Sequence, residues 1–294
     1  MTFAQTDAST EPVAPDTLPG SLGAVVAALG ERAVIHHLYG ERGARVYHDS
    51  THLDASEIRV MRRVLRRHDG PVLELAAGSG RLTVPLLRMG REVTAIELNP
   101  SMIDLLHEHV GDLPEQLRRR LTVHCGDMSD FDLRARFAVV VLGAASISIL
   151  DEDGRARMFA AVRRHLAPGG VLLFSIVIPG GGQAGAAPGP AADDIDTDVV
   201  MDVTGASGKR YRVHEYRAAG AVERLVGVYP LPGDGDPVSG TGPVPVCVGL
   251  HRVLSLESMQ AEVHRAGLVT REQHAYTYAA QGLSEVFLEV GEAP

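Results

Sequence analysis

The stretch Val72-Leu73-Glu74-Leu75-Ala76-Ala77-Gly78-Ser79-Gly80 decides how the rest of the chain is read. Val72, Leu73 and Leu75 make a short apolar strand that carries one acid, Glu74. Small residues follow at alternate positions, Ala76, Gly78 and Gly80, and Arg81–Met89 reads as a helix. Small residues let the backbone approach a ligand closely and present N–H groups at a helix start. A dinucleotide-binding turn spaces its glycines as G-x-G-x-x-G. Here Thr83 stands where the third glycine belongs, and an acid precedes the glycines. The turn therefore reads as ligand-binding, with an NAD-type fingerprint disfavoured.

Downstream, strands and helices alternate. Glu92–Leu98 reads as a strand, and Asn99-Pro100 opens a helix to about Val110, with Asn99 as cap and Pro100 in the first turn. Leu121–Cys125 is a third strand, and Phe137–Leu142 a fourth, nearly all apolar as a buried parallel strand should be. Asp153–Leu166 reads as a helix, and Pro168-Gly169-Gly170 as a turn into a fifth strand, Val171–Ile178. The expected fold is α/β, a doubly wound, mostly parallel sheet. Such sheets bind ligands at the C-terminal ends of their strands. Glu97 ends the second strand, where a carboxylate can accept both hydroxyls of a ribose. Asp127 follows the third strand and is suited to an exocyclic amine such as that of adenine, with Met128 against the ring. Leu142-Gly143-Ala144 ends the fourth.

The flanks differ. Met1–Gly20 reads as a disordered tail, and Ser21–Tyr47 carries weak helical signals with Tyr39 and Tyr47. Asp54 and Glu57 resemble a capping box ahead of a helix with Ile58, Met61 and Leu65 on one face. Its arginines, Arg59, Arg62, Arg63, Arg66 and Arg67, read as a solvated face. Pro179–Ala192 reads as a loop, followed by short antiparallel strands at Asp198–Val203, Lys209–Tyr216 and Val222–Tyr229. A second Gly/Pro stretch covers Pro230–Pro245; a helix at Ser255–Ala266 ends at Gly267, and strands at Thr270–Tyr278 and Glu285–Val290 finish the chain. The expected organisation is a tail (1–20), N-terminal helices and ligand-binding core (21–178), a β-rich insertion on the substrate side (179–250), and a C-terminal helix with the final β-hairpin of the core (251–294). The insertion is expected to act as a mobile lid, with a homodimer contact through its strand edges as the alternative.

Composition narrows the classes. With 294 residues, 45% hydrophobic and 22% charged, a large core is possible. No apolar run reaches the ~18 residues of a membrane-spanning helix, and the N-terminus lacks the pattern of a signal peptide. Lys+Arg total 28 against 37 Asp+Glu, a net charge of −9, which disfavours nucleic-acid binding. Cys125 and Cys247 lack metal-like spacing and read as reduced thiols of a cytoplasmic protein. His48 and His52 are four apart, but no third ligand is in register, so no metal is expected.

In its motifs the chain resembles the class I S-adenosylmethionine (SAM)-dependent methyltransferases. ELAAGSG (74–80) looks like the first motif, with Ala76 in place of the commoner glycine; AIELNPSM (95–102) like the ribose segment; GDMSDF (126–131) like the adenine segment; and LAPGG (166–170) like the lead-in to the fifth strand. The resemblance implies a seven-stranded Rossmann-like sheet with a reversed final hairpin and SAM as cofactor. It further implies cofactor contacts from Tyr39, Glu74, Ala76, Gly78, Gly80, Glu97, Leu98, Met102, Asp127, Met128, Leu142 and Gly143. Glu74 would orient the glycine turn or meet the ligand's amino group through water.

Leu38-Tyr39, GDMSDFDLRARF and the β-rich insertion are similar to small-molecule N-methyltransferases of bacterial natural-product pathways. These include amino-sugar N,N-dimethyltransferases and enzymes that dimethylate the terminal amine of daptide-type peptides (ribosomally made and modified). ASISILD (145–151) points to the daptide-type group. The amino-sugar enzymes carry a histidine after the fourth strand, and Ile149 holds that position here. Attack of a neutral amine on SAM needs chiefly orientation, with a base to remove the ammonium proton. Catalytic candidates are Tyr39, Tyr47, Ser146 and His214, with His48, His52, Ser148, Glu215 and Tyr216 also on the acceptor side. The expected substrate is an amine of a small molecule or modified peptide, with neither nucleic acid nor membrane as partner. An O-methyltransferase and a non-catalytic SAM-binding protein are the alternatives.

Overall fold

The computed structural model describes residues 18–51, 56–179, 196–233, 235–278 and 283–293. The tail before Leu18, His52, Asp54 and most of the Pro179–Ala192 loop lie outside the described residues. In chain order the chain forms α1 (Gly20–Leu29), β1 (Ala33–His37), α2 (Glu41–Thr51), α3 (Ser56–Leu65), β2 (Val72–Leu75), α4 (Thr83–Arg88) and β3 (Val93–Glu97). There follow α5 (Pro100–Gly111), α6 (Glu115–Arg118), β4 (Leu121–Cys125), β5 (Phe137–Leu142), α7 (Glu152–His165) and β6 (Leu166–Pro179). The remainder is β7 (Thr197–Thr204), β8 (Arg210–Arg217), β9 (Glu223–Pro230), β10 (Val244–Arg252), α8 (Leu256–Arg265), β11 (Leu268–Tyr278) and β12 (Leu283–Glu292).

These elements fall into two compact units. The larger comprises the described residues of Asp54–Ile195, Gly220–Glu223 and His251–Pro294. It contains a seven-stranded sheet in the order β11-β12-β6-β5-β2-β3-β4. β2, β3, β4, β5 and β6 pair in parallel, and β12 runs antiparallel to both β6 and β11. This is the α/β, doubly wound Rossmann-like sheet with a reversed final hairpin that the sequence implies.

The alternation of side chains along a strand sends them to opposite faces. Leu73 and Leu75 join the core under α7 and α8, with Phe159, Phe174 and Leu288. Val72 joins the other core, with Met61 and Leu65 of α3, Leu86 and Leu87 of α4, and Leu106 of α5. Glu74 shares Val72's face, so its carboxyl is carried beneath α4. Helix starts follow local chemistry: Asn99 caps α5 by accepting from Ser101 N, and Asp151 caps α7 by accepting from Gly154 N at 2.7 Å. The expected turn at Pro168–Gly170 is instead an irregularity inside β6. The register passes from Phe137↔Leu166 to Val139↔Val171, and the extra residues are taken up around Gly169, at φ +76°.

The smaller unit comprises the described residues of Met1–Leu53, Asp196–Ala219 and Arg224–Leu250. Its five-stranded sheet has the order β1-β10-β9-β8-β7. β7, β8 and β9 form the expected antiparallel strands. β1 and β10 were not expected as strands. Ala33–His37 pairs in parallel with Val244–Val248, Ile35 opposite Val246, so each segment is extended because the other is beside it. This pairing groups the described residues of 21–51 with the insertion's sheet, whereas the sequence reading places them with the core. α1 packs Leu22, Val26 and Leu29 on Leu225, Tyr229, Val246 and Val248. Gly227 permits that approach, since a Cβ there would lie 2.3 Å from Leu22 Cδ2.

No helix among the described residues is long and apolar enough to cross a membrane. One buried ion pair joins α7 to α8: Arg155 donates through Nε and Nη2 to Glu262, both at 2.7 Å. Removing one partner of such a pair strands a buried charge. Arg155→Ala should lower unfolding stability by about 3–5 kcal/mol in chemical denaturation, and an unchanged midpoint would show that the pair holds nothing.

Candidate functional site

The strand register places Leu75, Ile96 and Leu142 side by side, with Glu97 beside Cys125 on the neighbouring strands. The loops after β2, β3, β4 and β5 therefore emerge at one edge of the larger unit's sheet. In the first, Ala76 is left-handed at φ +49°, Gly78 at +55° and Gly80 at +86°. The two glycines serve different ends. A Cβ on Gly78 would meet nothing within 4 Å, whereas one on Gly80 would lie 3.2 Å from Leu106 Cγ of α5. Gly80 allows a helix to pack, and Gly78 faces open space that a ligand can enter.

Two buried carboxyls hold this loop. Glu97 Oε2 accepts from Gly78 N at 2.8 Å, and its Oε1 accepts from Asn99 N at 2.9 Å. One side chain thus ties the loop after β2 to the loop after β3. A carboxylate has room for about four acceptor contacts, so capacity remains beside these bonds for a ligand hydroxyl. Burial pushes the Glu97 carboxyl up from its ordinary range, and backbone N–H bonds from Asn99, Gly78 and Leu98 pull against it. Glu74, 2% exposed, accepts from the Thr83 hydroxyl at 2.6 Å. Thr83, the residue that departs from the dinucleotide pattern, thus fastens the start of α4 to β2. Desolvation raises the Glu74 carboxyl to about 8, despite the Thr83 bond and the charge of Arg81.

Asp127 Oδ1 accepts from Ser129 N at 2.7 Å, which closes a turn and fixes the carboxylate beyond β4. Met128 is buried against the core of Leu75 and Ile96. Leu98, beside Glu97, is 53% exposed, an apolar side chain presented at the edge where the loops emerge. Met102 and Leu142 are buried, so their side chains face the interior.

Glu57 supplies a contact that the sequence reading missed. Its carboxylate accepts from Ala144 N at 2.6 Å and pairs with Arg81, the residue after Gly80. The sequence reading assigned Glu57 to a capping box with Asp54, which lies outside the described residues. It instead joins the glycine loop to the loop after β5. Ala144 and Ala145 are both left-handed, at φ +54° and +50°, a conformation that costs an alanine roughly 1–2 kcal/mol. Glu57 holds the first, and the Ser175 hydroxyl accepts from the second at 3.1 Å. Gly143 must remain small, because a Cβ would sit 2.4 Å from Leu82 Cδ1.

Ser146 opens the short 3-10 turn Ser146–Ile149 and is half-buried. Ser148, in the same turn, donates to Ala145 O at 2.7 Å and lies 3.0 Å from His251 Nδ1. A hydroxyl has one proton. With that proton on Ala145 O, the Ser148 hydroxyl accepts from His251 Nδ1–H. His251 comes from the end of β10, far away in sequence, which is why no local motif revealed it.

Tyr39, Tyr47 and His214 belong to the smaller unit. The Tyr39 and Tyr47 rings meet edge to face, centroids 5.2 Å apart, and pack on Leu38, Tyr211, Val228 and Cys247. His214 is corrected as a catalytic candidate. It is 2% exposed, and both ring nitrogens are committed: Nδ1 to Ser21 Oγ at 2.7 Å and Nε2 to Tyr229 OH at 3.1 Å. Ser21 spends its proton on Asp198 at 2.7 Å, so the ring completes a chain of hydroxyls inside the sheet. Burial lowers its pKa and keeps it neutral. Glu215 is paired with Arg224, and the Tyr216 hydroxyl donates to Asp196. His52 lies outside the described residues.

Residues 72–170 match the family described as "Methyltransferase domain". A magnesium-protoporphyrin O-methyltransferase of Rhodobacter capsulatus is 31% identical over 96 residues, which are 33% of this chain and 42% of that protein. The match therefore spans less than half of that curated relative's length. Among solved structures, the glycopeptide N-methyltransferase MtfA complexed with sinefungin is 30% identical, with a TM-score of 0.62, over 94% of this chain and 98% of that one. An amino pentose methyltransferase of Micromonospora echinaspora, bound to SAM, shares the fold at 20% identity and a TM-score of 0.55, over 86% of this chain and 98% of its own.

The glycine geometry separates two substitutions that look alike in sequence. Gly80→Ala combines a left-handed alanine with a tight contact on α5 and should cost about 2 kcal/mol or more. Ala76→Gly removes a left-handed alanine and should be neutral or stabilising by up to about 1 kcal/mol. Denaturation midpoints check both, and equal effects would contradict the assigned roles.

Proposed function

The chain belongs to the class I SAM-dependent methyltransferases, and on that premise we propose that it transfers methyl groups to an amine of a natural-product precursor. The observation that carries the choice of nitrogen is its likeness, across nearly the whole chain, to a glycopeptide N-methyltransferase. We take the terminal amine of a daptide-type peptide as the first acceptor to test, on the motif ASISILD. The cytoplasm is the assigned compartment, on the reading of Cys125 and Cys247 as reduced thiols.

The residues present fit the cofactor. Gly78 leaves open space, Glu97 has acceptor capacity for a ribose, Leu98 offers an exposed apolar face to a purine, and Asp127 is held at the strand edge for its amine. Bound SAM supplies an electrophilic methyl on a sulfonium. The chain's part is to hold an uncharged amine in line with it, and most of the rate comes from that positioning. Tyr39, Tyr47 and Ser146 are retained as residues that bear on acceptor binding, tested by Tyr39→Phe, Tyr47→Phe and Ser146→Ala.

Calorimetric titration with S-adenosylhomocysteine should show binding at about micromolar Kd, abolished by Glu97→Ala, with no signal from NAD. Absence of binding by the folded protein would sink the assignment. With the cofactor site established, methylated product from the peptide amine supports the acceptor class, and product only from hydroxyl acceptors overturns it.

Glu74 adds a proton-linkage prediction. Its carboxyl stays largely protonated below about 8. A folded-state pKa above the ordinary value means this group's contribution to stability is greatest at acid pH and is lost as pH rises through about 8. A cationic ligand nearby favours the ionised form. SAM binding should therefore release protons and tighten as pH rises towards 8, and the heat should vary with the buffer's ionisation enthalpy. Glu74→Gln should erase that dependence, and wild-type binding indifferent to buffer would refute the linkage.

A further inference from the structure

We propose that Glu272, His274 and Glu289 form a binding site for a divalent transition-metal ion, and that zinc is the ion their donor set fits. The site lies wholly in the larger unit, on the β11–β12 hairpin, and is independent of the methyl-transfer reading.

Register creates the problem that the ion solves. Glu272 and Glu289 are direct cross-strand partners, and like charges placed opposite one another destabilise a sheet. Glu289 is 4% exposed, so its charge is largely removed from water. Arg67, just past α3, bridges them, donating Nη1 to Glu272 Oε1 at 2.6 Å and Nη2 to Glu289 Oε2, and the charge of Arg63 also acts on Glu272. The second oxygens look elsewhere. Glu272 Oε2 lies 3.4 Å from His274 Nε2, and Glu289 Oε1 lies 3.4 Å from His68 Nε2.

His274 provides the independent observation. Its side chain is 10% exposed, and its Nε2 is buried without a hydrogen-bond partner while aimed into this cluster. A buried unsatisfied nitrogen in a native structure calls for an explanation such as an ion. One donor atom each from Glu272, His274 and Glu289 lie within 4.8 Å of one another. Tetrahedral zinc with bonds of about 2.0–2.1 Å holds its ligands about 3.3 Å apart. The 3.4 Å spacing of the His274 imidazole and the Glu272 carboxylate leaves them positioned to share such an ion. Mixed imidazole and carboxylate donors suit zinc better than the all-oxygen ions magnesium and calcium. Arg67 then acts outside the ligands and orients the carboxylates, and His68 is the neighbouring candidate for the fourth position. The half-exposed Glu272 gives the ion a path in from solvent. The bound ion would pin the segment after α3 to the hairpin that closes the sheet.

The test uses untagged full-length protein stripped with a chelator, then titrated with zinc chloride in a calorimeter and with cobalt chloride in a visible spectrophotometer. One equivalent of zinc should bind at about micromolar Kd or tighter, and cobalt should show the absorption of a tetrahedral complex. His274→Ala and Glu289→Gln should each weaken zinc on the order of 100-fold, while His107→Ala, on the exposed face of α5, should not. Retained S-adenosylhomocysteine binding or a native circular dichroism spectrum verifies folding of each variant. If either core variant fails to fold, Glu272→Gln at the half-exposed position decides the matter. Absence of saturable zinc binding, or binding that His274→Ala and Glu272→Gln leave unchanged, would overturn the site and leave His274 as an ion-pair partner of Glu272.

Discussion

Glu97 sits buried at the end of a parallel strand with two backbone N–H groups on its two oxygens, one from Gly78 and one from Asn99. Burying a carboxylate is costly unless hydrogen bonds replace the lost water, and loops with left-handed residues are costly to hold still. Here each cost answers the other. The strained glycine loop supplies the donor that the carboxylate needs, and the carboxylate supplies the fixed acceptor that holds the loop. A cofactor arriving at this edge meets a loop already shaped. Little of its binding energy is then spent on ordering the backbone.

The same economy recurs one loop away. Ala144 and Ala145 adopt conformations that alanine resists, and each N–H is held by a side chain from elsewhere, Glu57 or Ser175. Glu57 also engages Arg81 beside Gly80. α3 thereby couples the glycine loop to the loop carrying Ser146 and Ser148. A substitution at Glu57 would disturb both loops without touching any ligand.

The smaller unit shows a different use of polar groups. Its buried histidine, His214, forms a closed series with Asp198, Ser21 and Tyr229 in which donors match acceptors. A satisfied buried network specifies one arrangement of the strands. His251, likewise buried, meets Ser148 in the turn after β5, in the unit that carries the glycine loop.

Periodicity and turn chemistry alone determined the alternation of strands and helices, the positions of Glu74, Glu97 and Asp127 at or just past strands, and the cap at Asn99, because each is set by the preferences of a few neighbouring residues. Thr83 could be seen as a departure from one pattern, but its bond to Glu74 needed the helix to fold back over the strand. β1 and β10 were invisible for a related reason: each is a strand only because the other lies beside it, across most of the chain. The roles of Gly78 and Gly80 depended on whether α5 lay over them. The pairing of Glu272 with Glu289, the placement of Arg67, and the meeting of Ser148 with His251 are long-range in the same sense. Local sequence sets what a backbone segment prefers, and only tertiary packing decides which distant side chains share a site, because that choice is made by register and burial across the whole sheet.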